Sequence, residues 1–156
     1  MIDLARMAAL VAVLAAAVVY GTDVFCAVVQ RPALARVDDR ALVAVMGNVH
    51  RYGDRRMPVP GALGIIAAAV SGALAALSGR WTATAAAATA VGLLLMWLVL
   101  YVRVSAPINR RLTAAVNAGD VPPNARVLQS DWDRVITARA VLQGLAIAAL
   151  CLALLS

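Results

Sequence analysis

The chain has 156 residues, 63% of them hydrophobic and 14% charged, and its mean hydropathy is +0.86. A soluble domain is about 45–50% apolar, so this composition excludes an ordinary water-soluble protein and predicts one membrane domain over residues 1–156. The formal net charge is +6, a value that indicates nucleic-acid binding when the basic residues form a patch. Here the arginines flank apolar runs, so we expect membrane lipids and no nucleic acid as partners.

Four apolar runs dominate the sequence. Each is long enough to cross ~30 Å of hydrocarbon at a rise of ~1.5 Å per residue, and apolar segments of this length are helical in lipid. We therefore predict an all-α fold, a polytopic bundle of four transmembrane helices. The predicted spans are residues 4–29, 59–78, 82–104 and 136–155.

The distribution of arginine predicts the orientation of the bundle. Cytoplasmic loops are enriched in basic residues, so the first and third loops should face the cytoplasm and both termini should lie outside. All basic residues are Arg and all acidic ones are Asp, a bias typical of a GC-rich bacterial genome, so we expect a multi-pass protein of the bacterial inner membrane. The loop arginines are Arg31, Arg36, Arg40, Arg51, Arg55 and Arg56, and Arg103, Arg110, Arg111, Arg126 and Arg134.

The first loop contains an amphipathic segment. Asp38 is a typical N-cap, apolar residues recur after it at helical spacing up to about Tyr52, and Gly53 is predicted to break the helix. We expect this helix at the cytoplasmic mouth of the bundle. Small residues in the second span, among them Gly61 and Gly64, permit close helix contact, either within the chain or at the interface of a homo-oligomer.

Asp23 is the most informative single residue of the first span. It lies ~10 Å inside the cytoplasmic end, where an unpaired carboxylate is costly. We therefore predict that Asp23 faces the bundle, with Tyr20 and Gln30 on the same polar stripe, and pairs with Arg103 or Arg139. The pair either has a structural role or orients a ligand.

The first and third loops add further candidates. His50, the only histidine, is either an interface residue or a general base, because its ordinary pKa is near 6.5. Pro107 is predicted to end or kink the third helix and to present Asn109 at the mouth. Trp132 is either an interfacial anchor or part of a site. One His, no Glu and two separated Cys do not form a usual metal site. We therefore expect no metal, and the sequence contains no motif that indicates a cofactor.

These motifs resemble a known family. Four spans, His50-Arg51 with a Pro in the first loop, Pro-Ile-Asn after the third span, and Trp132 followed by Arg139 are similar to the anthrone oxygenase-like (DUF1772) membrane proteins. The pattern departs from the family after Trp132, where residues 135–137 are Val-Ile-Thr. The resemblance implies oxidation of a lipophilic anthrone or phenolic substrate by O2 without a cofactor.

The resemblance also implies roles for particular residues. The positions that match the family pattern are His50, Asn109, Trp132 and Arg139. His50 would be the base, Arg139 and Asn109 the donors to the developing oxyanion, and Trp132 would contact the substrate. Beside these matched positions, we expect Asp23 to orient Arg139 or His50, and Tyr20, Gln30 and Arg103 to contact the substrate. The alternative is a non-catalytic membrane subunit or small-molecule-binding protein, and a transporter ranks last because no repeats are evident.

Overall fold

The computed structural model describes residues 1–156 as five helices without a strand. Four of the helices are long and apolar enough to cross a membrane, which confirms the predicted all-α multi-pass bundle. We number the five in chain order as α1 Ile2–Leu34, α2 Asp39–Arg56, α3 Pro58–Leu77, α4 Trp81–Ala118 and α5 Ala125–Leu155.

The four long helices form a closed ring. Helix α1 packs against α3 and α5, and α4 packs against the same two helices, so neighbours run in opposite directions around the ring. Helix α2 packs against residues 106–118 of α4 and therefore lies at one end of the bundle. We call this the α2 end.

Away from the α2 end, the core consists mainly of alanine. Ala12, Ala68, Ala90 and Ala146 are fully buried there, and a Cβ built on Gly64 would lie 3.4 Å from the backbone nitrogen of Ala16. Small side chains allow this close helix approach. The small residues of the second span thus serve packing within the chain.

Larger side chains fill the core at the α2 end. Leu42 and Met46 of α2, Leu112 of α4 and Trp132 and Ile136 of α5 form one buried cluster. Larger side chains hold the helices further apart than the alanine contacts do elsewhere. The wider spacing leaves room at this end for a cavity beside the packed core.

Helices α4 and α5 extend beyond the predicted membrane spans. Helix α4 continues past residue 104 to Ala118, and α5 begins at Ala125, well before residue 136. Both extensions are amphipathic and bury residues such as Ile108 and Leu128, so continuous hydropathy does not detect them. Pro107 is predicted to end or kink the helix; it does not end it, and it lies just after the π turn at Tyr101–Ser105.

A π-helical turn precedes a proline in each of two helices. In α1 the turn covers Cys26–Gln30, just before Pro32, and in α4 it covers Tyr101–Ser105, just before Pro107. Proline lacks an N–H and its ring clashes with the carbonyl four residues earlier. The wider turn accommodates this conflict and lets both helices continue.

Helix α2 begins as predicted and ends later. The Asp38 carboxylate accepts a hydrogen bond from the backbone N–H of Ala41 at 2.7 Å, which confirms the N-cap. The helix passes through Gly53 and ends at Arg56, so the predicted break is wrong. A glycine inside a helix costs only about 1 kcal/mol, and packing outweighs this cost.

Candidate functional site

A cavity of about 410 Å³ lies at the α2 end and is lined by residues of all five helices. Its volume falls within the range of small-molecule sites, roughly 300–1,000 Å³. Most of the lining side chains are hydrophobic, and a few polar groups converge on it. The polar and aromatic lining residues are Asp23, Gln30, His50, Asp54, Trp97, Tyr101, Asn109, Trp132 and Arg139.

An ion pair between α1 and α5 lies at the inner wall of the cavity. One Asp23 oxygen accepts a hydrogen bond from the Arg139 guanidinium at 2.8 Å, and both side chains are buried. The other Asp23 oxygen accepts from Gln143 at 2.6 Å and from Trp97 at 3.2 Å. The predicted partner Arg139 is therefore confirmed, and the carboxylate is fully hydrogen-bonded.

The Arg139 guanidinium is surrounded by aromatic rings. Its Cζ lies 5.5 to 5.9 Å from the ring centroids of Trp97, Tyr101 and Trp132, within cation–π range. It also donates to the Ser105 hydroxyl at 2.8 Å. Its Nε is buried and has no hydrogen-bond partner in the protein.

A second polar network begins at Asp54 near the end of α2. The same Asp54 oxygen accepts from the Tyr101 hydroxyl at 2.8 Å and from the Asn109 amide at 2.7 Å. The Asn109 oxygen in turn accepts from the Trp132 indole at 3.1 Å. These bonds fix the Asn109 amide, which serves mainly to position Trp132 and Asp54.

His50 faces the cavity from the middle of the α2 face that also carries Met46 and Asp54. Its ring centroid lies 5.6 Å from that of Trp132, and its Nε2 is buried without a hydrogen-bond partner. Burial lowers the pKa of His50 from 6.5 to about 4, and the nearby Asp54 charge opposes this effect. The imidazole is therefore neutral at physiological pH.

The structure brings together five side chains that the sequence singled out from four helices. Asp23, His50, Asn109, Trp132 and Arg139 all line the same cavity. His50 and Arg139 both lie beside Trp132: the His50 ring centroid and the Arg139 Cζ are 5.6 and 5.7 Å from its ring centroid. Trp132 is 5% exposed, so it is a wall of the cavity and no interfacial anchor.

No protein-family model, curated protein or solved structure matches this chain. The chemistry of the cavity therefore has to be inferred from its own residues. No three His, Cys, Asp or Glu side chains lie close enough together to hold a metal ion.

Of the remaining predicted residues, only Gln30 lines the cavity. Its amide nitrogen lies 3.3 Å from the Met46 sulfur, and its oxygen is buried without a partner. Tyr20 instead lies in a separate groove between α1 and α5, beside Gly144. Arg103 is exposed on the π turn and forms no ion pair. The predicted contacts of Tyr20 and Arg103 with a site are therefore corrected.

Five polar residues of the site were not predicted: Asp54, Trp97, Tyr101, Ser105 and Gln143. Each lies four residues from another member of the site, since Asp54 follows His50, Gln143 follows Arg139, and Trp97, Tyr101 and Ser105 form one row of α4. Residues at this spacing share a helix face. Aromatic residues near the end of an apolar span are typical of lipid-facing or interfacial positions, but Trp97 is 7% exposed and Tyr101 is half-buried.

Proposed function

We propose that the protein binds a flat, lipophilic aromatic ketone or quinone-like molecule in the cavity at the α2 end. The observation that carries this proposal is the pair of buried, unpartnered nitrogens, His50 Nε2 and Arg139 Nε, in side chains that line a mostly apolar cavity. Buried polar atoms normally have partners, and a ligand oxygen can supply them. Trp97, Tyr101 and Trp132 offer ring surfaces to a flat molecule.

We further propose that the bound molecule is oxidised by O2 without a cofactor, as the resemblance to the anthrone oxygenase-like family implies. In an anthrone, the reacting methylene gives up a proton and the resulting enolate is electron-rich enough to react with O2. A C–O bond forms as O2 takes up two electrons, and the resulting peroxide anion takes back the proton removed from the methylene group to give a hydroperoxide. Loss of water from the hydroperoxide leaves a second ketone, so one oxygen atom remains in the product and the other leaves as water.

Two residues of this chain have clear roles in that reaction. His50, neutral at physiological pH, takes the methylene proton, while Arg139 Nε donates to the ketone oxygen on which the negative charge develops. A base with a pKa of about 4 is weak, so the donor is essential: it stabilises the enolate as it forms. Asp23 and Ser105 position the guanidinium for this contact.

The same low pKa favours a second candidate function, a non-catalytic binding protein or membrane subunit. A neutral imidazole accepts a hydrogen bond from a ligand hydroxyl without taking its proton. In this case the cavity sequesters a lipophilic molecule, and its contacts with His50 and Arg139 determine affinity only.

Binding and oxidation are tested separately on purified protein in detergent. Anaerobic addition of anthrone should quench the fluorescence of the tryptophans that line the cavity, and admission of O2 should convert the bound anthrone to anthraquinone. His50→Ala should abolish the conversion, whereas Asn48→Ala, on the exposed face of the same helix, should not. Binding without a His50-dependent rate would leave the binding function and eliminate the oxygenase.

We also propose that the protein resides in the inner membrane of a bacterium with its α2 end in the cytoplasm. The basis is the arginine count: the segments at the α2 end carry nearly all the arginines, and only Arg6 and Arg80 lie near the other end. Positive charge is retained on the cytoplasmic side.

A further inference from the structure

Asp54 is a carboxylate without a counter-ion at the cavity. Tyr101 and Asn109 donate to one of its oxygens, and no arginine forms an ion pair with it, in contrast to Asp23, Asp39, Asp131 and Asp133. Its second oxygen carries no hydrogen bond from the protein. A carboxylate at an apolar surface favours a hydrogen-bond donor as its neighbour.

Two further unpartnered atoms lie on the cavity wall near α2: the acceptor Gln30 Oε1, and His50 Nε2, which is an acceptor in the tautomer that carries its proton on Nδ1. Both atoms are buried without a hydrogen-bond partner. Met46, one helical turn before His50, contacts the Gln30 amide, so Gln30 and the α2 face adjoin. The wall formed by Gln30, His50 and Asp54 therefore offers unused acceptors.

Arg139 instead provides hydrogen-bond donors, and the Tyr101 ring lies between Arg139 and Asp54. The guanidinium lies over the face of the Tyr101 ring at 5.5 Å, while the Tyr101 hydroxyl bonds to Asp54. Arg139 and Asp54 consequently do not neutralise each other. The cavity has a donor at Arg139 Nε and acceptors along the α2 wall.

We propose that Asp54 is a specificity-determining residue that selects aromatic ligands carrying a hydroxyl remote from the ketone, with the hydroxyl towards Asp54 and the ketone oxygen towards Arg139. This inference rests on the proposed ligand site and adds the orientation and the hydroxyl requirement. A ligand without the hydroxyl leaves the free Asp54 oxygen facing an apolar surface. A site that hydrogen-bonds a ligand hydroxyl strongly rejects an analogue that lacks the hydroxyl. A hydrophobic pocket discriminates much less between two ligands that differ by a methyl group.

The first test needs no variant. Anthraflavic acid, an anthraquinone with one hydroxyl on each outer ring, is compared with its dimethyl ether by tryptophan quenching at mildly acidic pH, where the phenols keep their protons. The two probes share the ring system and ketones, and only one can donate. We expect anthraflavic acid to bind at least about tenfold more tightly, and equal affinities would overturn the proposal.

The second test exchanges the free acceptor for a donor. In Asp54→Asn the oxygen can still accept from Tyr101 and Asn109, while an amide N–H₂ replaces the free carboxylate oxygen. The preference for anthraflavic acid over its dimethyl ether should fall by about tenfold or reverse. Asp131→Asn, at an exposed site on α5, is the matched control and should keep the preference.

The outcomes distinguish the role of Asp54 in specificity from the binding of aromatic ligands in the cavity. If anthraquinone and both derivatives bind but Asp54→Asn keeps the wild-type preference, Asp54 does not determine specificity although the site binds aromatic ligands. If none of the three binds folded wild-type protein, the proposed function fails and this inference with it. Thermal unfolding confirms that each variant is folded before its affinity is interpreted.

Discussion

Single side chains at this site have fixed partners, so their substitution has calculable consequences. Asp23 satisfies both of its oxygens through Arg139, Gln143 and Trp97. Removing the charge leaves the guanidinium buried with no anion to balance it. A buried ion pair contributes little net stability when intact, but its disruption on one side is costly.

Asp23→Asn should therefore destabilise the bundle by about 1–3 kcal/mol, the usual cost of leaving a buried polar group unsatisfied. The measurement is the midpoint of unfolding in mixed micelles on titration with denaturing detergent. The double variant Asp23→Asn/Arg139→Gln should recover part of the loss, because no unbalanced cation remains. If the double variant lost more free energy of unfolding than the two single variants lose together, the ion pair would not be the cause of the destabilisation.

His50 makes stability depend on pH. Its pKa is about 4 in the folded protein against an ordinary value of 6.5, so between these values the unfolded chain binds more protons than the folded one. The free energy of unfolding should therefore fall as pH falls from 6.5 towards 4, by on the order of 3 kcal/mol at most. Thermal unfolding of wild type and His50→Gln across this window isolates the contribution, and a parallel pH dependence of the two would exclude it.

At the scale of the helices, α2 is held by a close approach to α4. A Cβ on Gly47 would lie 2.3 Å from Val116 Cγ2 and 2.6 Å from the backbone oxygen of Leu112, and Thr113 donates to the Gly47 carbonyl at 3.2 Å. Arg126 also binds the α1–α2 connection, through Asp39 at 2.6 Å and the Leu34 carbonyl at 2.9 Å. Helix α2 is thus fixed at two points while its other face lines the cavity.

Gly47→Ala should loosen α2, because the added methyl group meets backbone as well as a side chain. We expect a destabilisation of about 1–3 kcal/mol, typical of overpacking, with faster tryptic cleavage after the arginines of α2. Gly53→Ala is the control on the same helix: nothing lies within 4 Å of its added Cβ, and alanine favours the helix. Equal cleavage rates in the two variants would argue against this anchor.

At the scale of the whole molecule, a membrane orientation assigns the cavity to one compartment. All connections at the α2 end should be cytoplasmic, and the 78–80 turn and both termini should be outside. Single cysteines introduced at Arg40, Arg80 and Ser156 in a chain lacking Cys26 and Cys151 report this through a membrane-impermeant thiol reagent. Intact cells should label positions 80 and 156 and not position 40, and the reverse pattern would place the cavity mouth on the outer side.

The sequence predicts the helices of this molecule better than the contacts between them. The lengths of the apolar runs and the positions of the arginines are sufficient to predict four spans. The cost of a charge in lipid is sufficient to predict that Asp23 faces inward, towards Arg139. The one-residue error at Tyr20 has a physical origin: Val19 and Asp23 are four residues apart and face the cavity together, while Tyr20 points about 100° away. The sequence alone does not decide between an interfacial and a buried position for Trp97 and Trp132, because an indole suits an interface and a buried hydrogen bond equally.

The π turns in α1 and α4 have a consequence for how this chain can vary in length. Each turn contains a residue more than a regular α-helix needs over the same segment. Deleting one residue from 26–30 would let α1 close into a plain α-helix and rotate everything beyond it by about 100° relative to Asp23. The helix would still span the membrane. However, the contact of Asp23 with Arg139 and the contact of Leu34 with Arg126 could no longer form at the same time. Insertions and deletions in descendants of this chain should therefore accumulate at the 78–80 turn and the 119–124 connection and be absent from the two turns beside the cavity.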